Sequence, residues 1–142
     1  DEKVLPHVFE ISMGIDRSLY TILEHSLKND EEHERMVLSL KPYLSPVHVG
    51  ILSLVKKDGL KEKTDEIFIN IKRKFDAFLD HSGAIGRRYR RLDEIGAPFA
   101  ITVDHQTLED NTVTIRKRDS MEQSRVNISE IDSILLESVA FP

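Results

Sequence analysis

Residues 47–55, Val-His-Val-Gly-Ile-Leu-Ser-Leu-Val, form a nearly continuous apolar run. A strand with no polar face must be covered above and below, and that requirement commits the chain to layers of helix around a sheet. The surrounding pattern agrees. Residues 7–15 alternate, with Phe9, Ile11, Met13 and Ile15 on one side and Val8, Glu10, Ser12 and Gly14 on the other, which predicts a strand. From Leu19 the period becomes helical, and a helix is expected to run to about Lys28. The acidic stretch at residues 28–34 and the prolines Pro42 and Pro46 break regular structure and place a boundary at residues 37–46. Further helices are expected over residues 60–75 and 84–95, the second stopped by Gly96 and Pro98. Strands are expected at 77–79, 99–103, 112–116 and 123–126, with a polar turn through Asp110-Asn111. A last helix begins near Ser129, with Asp132 as its capping-box partner. Strands alternating with helices imply a three-layer α/β domain around a mainly parallel sheet.

With 39% apolar and 32% charged residues, the 142-residue chain can bury a core and solvate its surface. No apolar run approaches the roughly 18 residues of a membrane span. The absence of cysteine excludes disulfides, thiolate metal sites and thiol nucleophiles, and a reducing, cytoplasmic setting is expected. A net charge of −5 argues against a general nucleic-acid binder. The distribution is uneven, however: residues 84–91 hold four arginines and no acid, and Arg116-Lys117-Arg118 forms a second basic knot.

No self-contained catalytic centre is visible. None of the six histidines has HxH or HExxH spacing, and phosphate-loop, dinucleotide-loop and nucleophile-elbow motifs are missing. Asp80-His81-Ser82 are adjacent in sequence, so their side chains diverge. Arg87, Arg88, Arg90 and Arg91 fan over more than half of one helix. They read either as a salt-bridged surface, for example Arg90 with Glu94, or as a phosphate- or base-contacting helix with Tyr89 as a stacking partner. At the end of a strand, a guanidinium beside a carboxylate, as in Arg118-Asp119, can read cytosine: one donates to the ring, the other accepts from the amino group.

Two stretches carry a resemblance. SGAIGRRYRRLDEIGAPF at residues 82–99, ITVD at 101–104 and TIRKRDSMEQ at 114–123 resemble the anticodon-binding domain of glycyl-tRNA synthetases. PHVFEISMGIDRSLY at residues 6–20 resembles the third signature motif of the class II catalytic domain in that family. The resemblance implies a strand-helix remnant of the catalytic domain at residues 1–36, a linker at 37–46 and an anticodon-binding domain at 47–142, its mixed five-stranded sheet flanked by helices. It assigns glycine binding to Glu10 and Ser12, ATP binding to Gly14 and Arg17, and anticodon contacts to Arg87, Tyr89, His105, Arg118 and Asp119. The implied partner is glycine tRNA. ATP, Mg²⁺ and glycine belong to a full, homodimeric enzyme, and no cofactor is expected on these residues alone, which lack the first two class II motifs. Two other readings stay open: a synthetase-derived accessory factor without aminoacylation activity, and a plain α/β domain whose arginines make surface ion pairs.

Overall fold

The computed structural model describes residues 3–55 and 59–141. The apolar run is a central strand, β3 (Val49–Ser53), buried at every position. It is preceded by β1 (Leu27–Asp30) and β2 (Arg35–Leu38), which form a separate antiparallel hairpin after the first helix, α1 (Ile15–Ser26). Helix α2 (Leu60–Lys72) leads from β3 to β4 (Ala77–Asp80), and α3 (Ile85–Glu94) leads from β4 to β5 (Phe99–Val103). Both strands run parallel to β3, one on each side. The two crossovers therefore move in opposite directions along the sheet, and a constant right-handed connection puts their helices on opposite faces.

The sheet is completed by β6 (Thr112–Lys117) and β7 (Gln123–Asn127), each antiparallel to its neighbour, in the order β4-β3-β5-β6-β7. Two of its four pairings are parallel, so the sheet is mixed rather than mainly parallel. Val49, Ile51, Ile101, Val103, Val113 and Ile115 face one side and pack with Leu60, Ile67 and Ile71 of α2. Ile131 and Leu135 of the last helix, α5 (Ile131–Val139), join the same cluster. The opposite side is smaller, built from Leu52, Ala100 and Leu92 of α3. There Gly50 lies directly under Leu92; a Cβ at that position would sit 2.2 Å from Leu92 Cδ1, so only glycine lets α3 approach this closely. Gly96, at φ 83°, ends α3 in a Schellman arrangement: its N–H donates to Asp93 O (3.2 Å) and that of Ala97 to Leu92 O (3.0 Å).

Four local expectations are corrected. The strand predicted at residues 7–15 does not form; through Gly14 the segment has no regular structure and, among the described residues, no strand partner, Ile15 already belongs to α1, and Phe9, Ile11 and Met13 are exposed. Alternation marks which residues share a face, but a strand exists only when a neighbour takes its N–H and C=O groups. Residues 27–38, where the end of a helix near Lys28 and then an irregular acidic stretch are expected, make the β1–β2 hairpin, and residues 37–46 contain buried Val37, Leu40 and Ser45 with a 3-10 turn at Pro42–Leu44. The turn after β5 includes a short helix, α4 (His105–Asp110), closed by a capping box between Asp104 and Thr107. Before α5, the capping pair is Asn127 and Glu130, not Ser129 and Asp132; Asp132 instead meets Lys74.

Candidate nucleic-acid interface

On the α3 side of the sheet, cover stops at β5. Thr112, Thr114 and Arg116 of β6 continue that face, opposite Asn127, Arg125 and Gln123 of β7. Strand alternation thus produces a polar ledge bounded by α3, with the β1–β2 hairpin across its Arg116 end. Arg125 spans the ledge, donating to Asp104 at 2.6 and 2.8 Å and to Thr112 Oγ1 at 2.6 Å. These Arg125 hydrogen bonds outweigh burial and hold the Asp104 carboxyl below its usual range. Tyr89 donates to or accepts from Thr102 Oγ1 at 2.6 Å, and the Arg116 guanidinium lies 5.0 Å from its ring centre. One face of the ring is therefore already occupied by a cation.

The basic residues divide into buried and free sets. Arg88 is buried, donating to Ser53 O (2.6 Å), and its pKa is pushed down by desolvation. Arg91 holds the Asp80 carboxylate through two donors. The expected Arg90–Glu94 pair does not form: Arg87 and Arg90 are exposed and, among the described residues, neither makes an ion pair. Two of the four arginines thus lock α3 onto the sheet, and two remain for an anionic ligand.

A buried ionic hub ties the hairpin to this face. Asp93, 1% exposed, accepts from Arg35 Nη1 (2.9 Å) and from Arg116 Nη1 and Nη2 (2.9 and 3.2 Å). Arg35 also donates to Asp30 (2.8 Å) and to the Arg118 carbonyl (2.9 Å).

Arg118, 2% exposed, uses all five donors within the protein. Nη1 meets Leu38 O and Gly96 O at 3.1 and 2.8 Å, Nη2 meets Leu40 O at 2.8 Å and Asp119 Oδ2 at 2.9 Å, and Nε meets Asp119 Oδ1 at 2.8 Å. In this arrangement it has no donor left for a base edge, contrary to its expected role as a direct cytosine reader. Its fork instead presents Asp119, whose side chain is 63% exposed and whose pKa is lowered first by those hydrogen bonds. Arg118 and Asp119 are thus adjacent, at the Phe99 end of β5. His105, exposed on the first turn of α4, lies at the other end of that strand. At about 3.3 Å per residue, the two ends of β5 are roughly 13 Å apart.

The residues assigned to glycine and ATP are not assembled. Glu10, Ser12, Gly14 and Arg17 are exposed, the first three in the segment without regular structure and Arg17 on α1. They do not form a cradle for either group. Among the described residues, no group of three or more His, Asp or Glu side chains could hold a metal ion. A hydrogen-bonded row of Ser53, His81 and Asp65 does exist, at 3.0 and 2.9 Å. Ser53 is fully buried, which makes the row a tie between β3, β4 and α2 rather than a nucleophile facing substrate.

The sequence does not single out Arg35, Asp104, Arg125 or Thr114, and it offers Asp93 as a partner for the arginines of its own helix, whereas its partners are Arg35 and Arg116. The polar face of Gln123, Arg125 and Asn127 was readable from alternation, and Asp104-x-x-Thr107 is a helix-start signal. Nothing local marks Arg35 or Asp93 as buried.

A family model described as an anticodon binding domain matches residues 48–138. A glycine–tRNA ligase of Archaeoglobus fulgidus is 51% identical over 139 residues, covering 95% of this chain and 24% of the relative. Those of Methanococcus vannielii and Methanocaldococcus jannaschii are 50% and 52% identical, covering 97% and 96% of this chain and 24% and 23% of the relatives. The chain spans about a quarter of the length of the curated relatives it matches. Among solved structures, the RNA binding domain of threonyl-tRNA synthetase from Cryptosporidium parvum superposes with a TM-score of 0.65 at 22% identity, over 73% of this chain and 26% of that one. Prolyl-tRNA synthetase from the same organism, complexed with L-proline and AMP, gives 0.64 at 25%, over 72% and 23%. The first likeness speaks for the fold alone.

Proposed function

Because the chain belongs to the anticodon-binding domain family, we propose that it recognises the anticodon of glycine tRNA as one part of a glycine–tRNA ligase. The observation that carries this reading is identity of about one half, over nearly the whole chain, to archaeal glycine–tRNA ligases. The full protein would activate glycine with ATP and Mg²⁺ and transfer it to the tRNA, as a cytoplasmic homodimer. Among the described residues, no helix is long and apolar enough to cross a membrane. These 142 residues contain neither of the first two class II motifs and by themselves are not expected to activate glycine. Glu10 and Ser12 as glycine contacts, and Gly14 and Arg17 as ATP contacts, belong to the same proposal. So does the division into residues 1–36, 37–46 and 47–142, which the β1–β2 hairpin straddles.

Glycine anticodons end in two cytosines. Cytosine offers an amino donor beside two acceptors, so its reader needs one acceptor beside donors. Asp119 is the fixed, exposed acceptor; Arg118 serves by holding it. Arg87 supplies a free cation for the loop phosphates, with Tyr89 and His105 as the aromatic surfaces nearest the ledge. The test is binding of glycine tRNA at fixed salt, beside a version with both anticodon cytosines changed. A loss of about 1–3 kcal/mol per altered base supports direct readout. Equal binding, with an affinity that falls steeply with salt for both, means that only phosphates are held and overturns the proposal.

A further inference from the structure

Between the β1–β2 hairpin and Asp119 lies a cavity of about 430 Å³, within the range of about 300–1,000 Å³ that small ligands use. Its lining includes Lys28, Asp30, Arg35, Val37, Ser39 and Asp119. The hairpin register explains why these residues share a wall. Lys28 stands opposite Val37 and Asp30 opposite Arg35, so the four point to one face, and Ser39 follows two residues after Val37.

The wall is charged but balanced. Two cations and two carboxylates line it, and Arg35 is already engaged with Asp30 and Asp93. A phosphate entering would meet two negative groups. A neutral ring with both donors and acceptors on one edge would not. The groups are also connected: Lys28 Nζ donates to Ser39 Oγ at 3.4 Å, and Ser39 Oγ donates to Asp119 Oδ1 at 3.2 Å. Lys28 has three N–H donors and uses one of them here, so two remain. The side chain of Asp119 accepts from Arg118 Nε and Ser39 Oγ on Oδ1 and from Arg118 Nη2 on Oδ2, so one lone-pair site, on Oδ2, stays open for a further donor.

We propose that this cavity seats one anticodon cytosine, with the Asp119 carboxylate accepting from its amino group and the Lys28 ammonium donating to its ring acceptors. The inference rests on the anticodon reading above and goes further in one respect. The hairpin, outside the stretch matched by the family model, supplies the donor that buried Arg118 cannot. Uracil is refused because its carbonyl oxygen at the position of the amino group faces the carboxylate.

The experiment measures binding of the protein to an RNA stem-loop carrying the glycine anticodon, and to two versions with either cytosine replaced by uracil. Wild type is expected to prefer cytosine at one position by about five- to a hundredfold. Lys28→Met is expected to weaken the cytosine RNA about tenfold and the uracil RNA much less, so the preference shrinks. Asp119→Asn brings the preference near one, because its amide can turn to donate to the uracil carbonyl. Lys117→Met, an exposed cation outside the cavity, weakens all RNAs by one common factor. If Lys28→Met also acts by a common factor, or changes nothing, the cavity assignment is overturned while the anticodon reading stands. If wild type does not distinguish the RNAs at all, the anticodon reading itself falls and this inference with it.

Discussion

Removing the Asp93 carboxylate should be among the most damaging single changes in this protein. Its two oxygens hold three guanidinium donors in a site where Asp93 and Arg116 side chains are 2% and 8% exposed. In Asp93→Ala, Arg35 keeps Asp30 and the Arg118 carbonyl. Arg116 keeps only the Tyr89 ring beneath it. Breaking a buried pair so that one charge stays behind costs about 3–5 kcal/mol. That is a large share of the roughly 5–15 kcal/mol that holds a domain folded. At about 3 °C per kcal/mol for a chain near this length, the melting temperature should fall by about 10–15 °C. Equilibrium urea unfolding of Asp93→Ala, beside Glu122→Ala as a surface control, tests the argument. Glu122 pairs with Lys117 where both side chains are more than half exposed, and such pairs contribute about 0–1 kcal/mol. Adding Arg116→Met to Asp93→Ala should recover at least about 1 kcal/mol, because the stranded cation is gone. An Asp93→Ala loss no larger than that of Glu122→Ala would refute the claim that the hub is dry and tightly coupled.

Two more outcomes follow from the same geometry. Arg118→Lys keeps the charge but offers three donors to five acceptors, so at least two contacts go and stability should drop by about 3 kcal/mol in urea unfolding; a loss below about 1 kcal/mol would contradict the five-contact grip. Hydrogen bonds from His33, then Arg35, bring Asp30 down to about 2, so its contribution is present above the ordinary carboxylate value and is lost as pH falls through about 2. Carbon-detected NMR should find that midpoint and see it rise in His33→Ala; a wild-type midpoint near 3.8 refutes it.

What was legible in the sequence was whatever apolar periodicity controls. β3, α2, α3, β5 and α5 carry their own patterns, and the Gly96 stop marks the end of α3. The hairpin was hidden because its strands are four residues long and polar. Arg35 is buried against Asp93, 58 positions away, and that relation has no local trace. Residues 7–15 erred the other way: their alternation is clear, but a strand is a relation between two segments, and no described segment pairs with this one. The candidate site divided likewise. Asp119 is exposed and usable, whereas Arg118, read as its partner in binding, is enclosed by carbonyls of Leu38, Leu40 and Gly96 that no motif anticipates.

The clasp between hairpin and sheet also says something about the order of folding. Its bonds join residues 58, 80 and 83 positions apart, whereas the β5–β6–β7 meander pairs near neighbours along the chain. Closing loops that long has an entropic cost that a few polar contacts offset only once both partners are already positioned. Arg35 and Arg118 are therefore expected to close on the sheet and α3 after these have formed. As a late fastening, the clasp would set where the hairpin comes to rest.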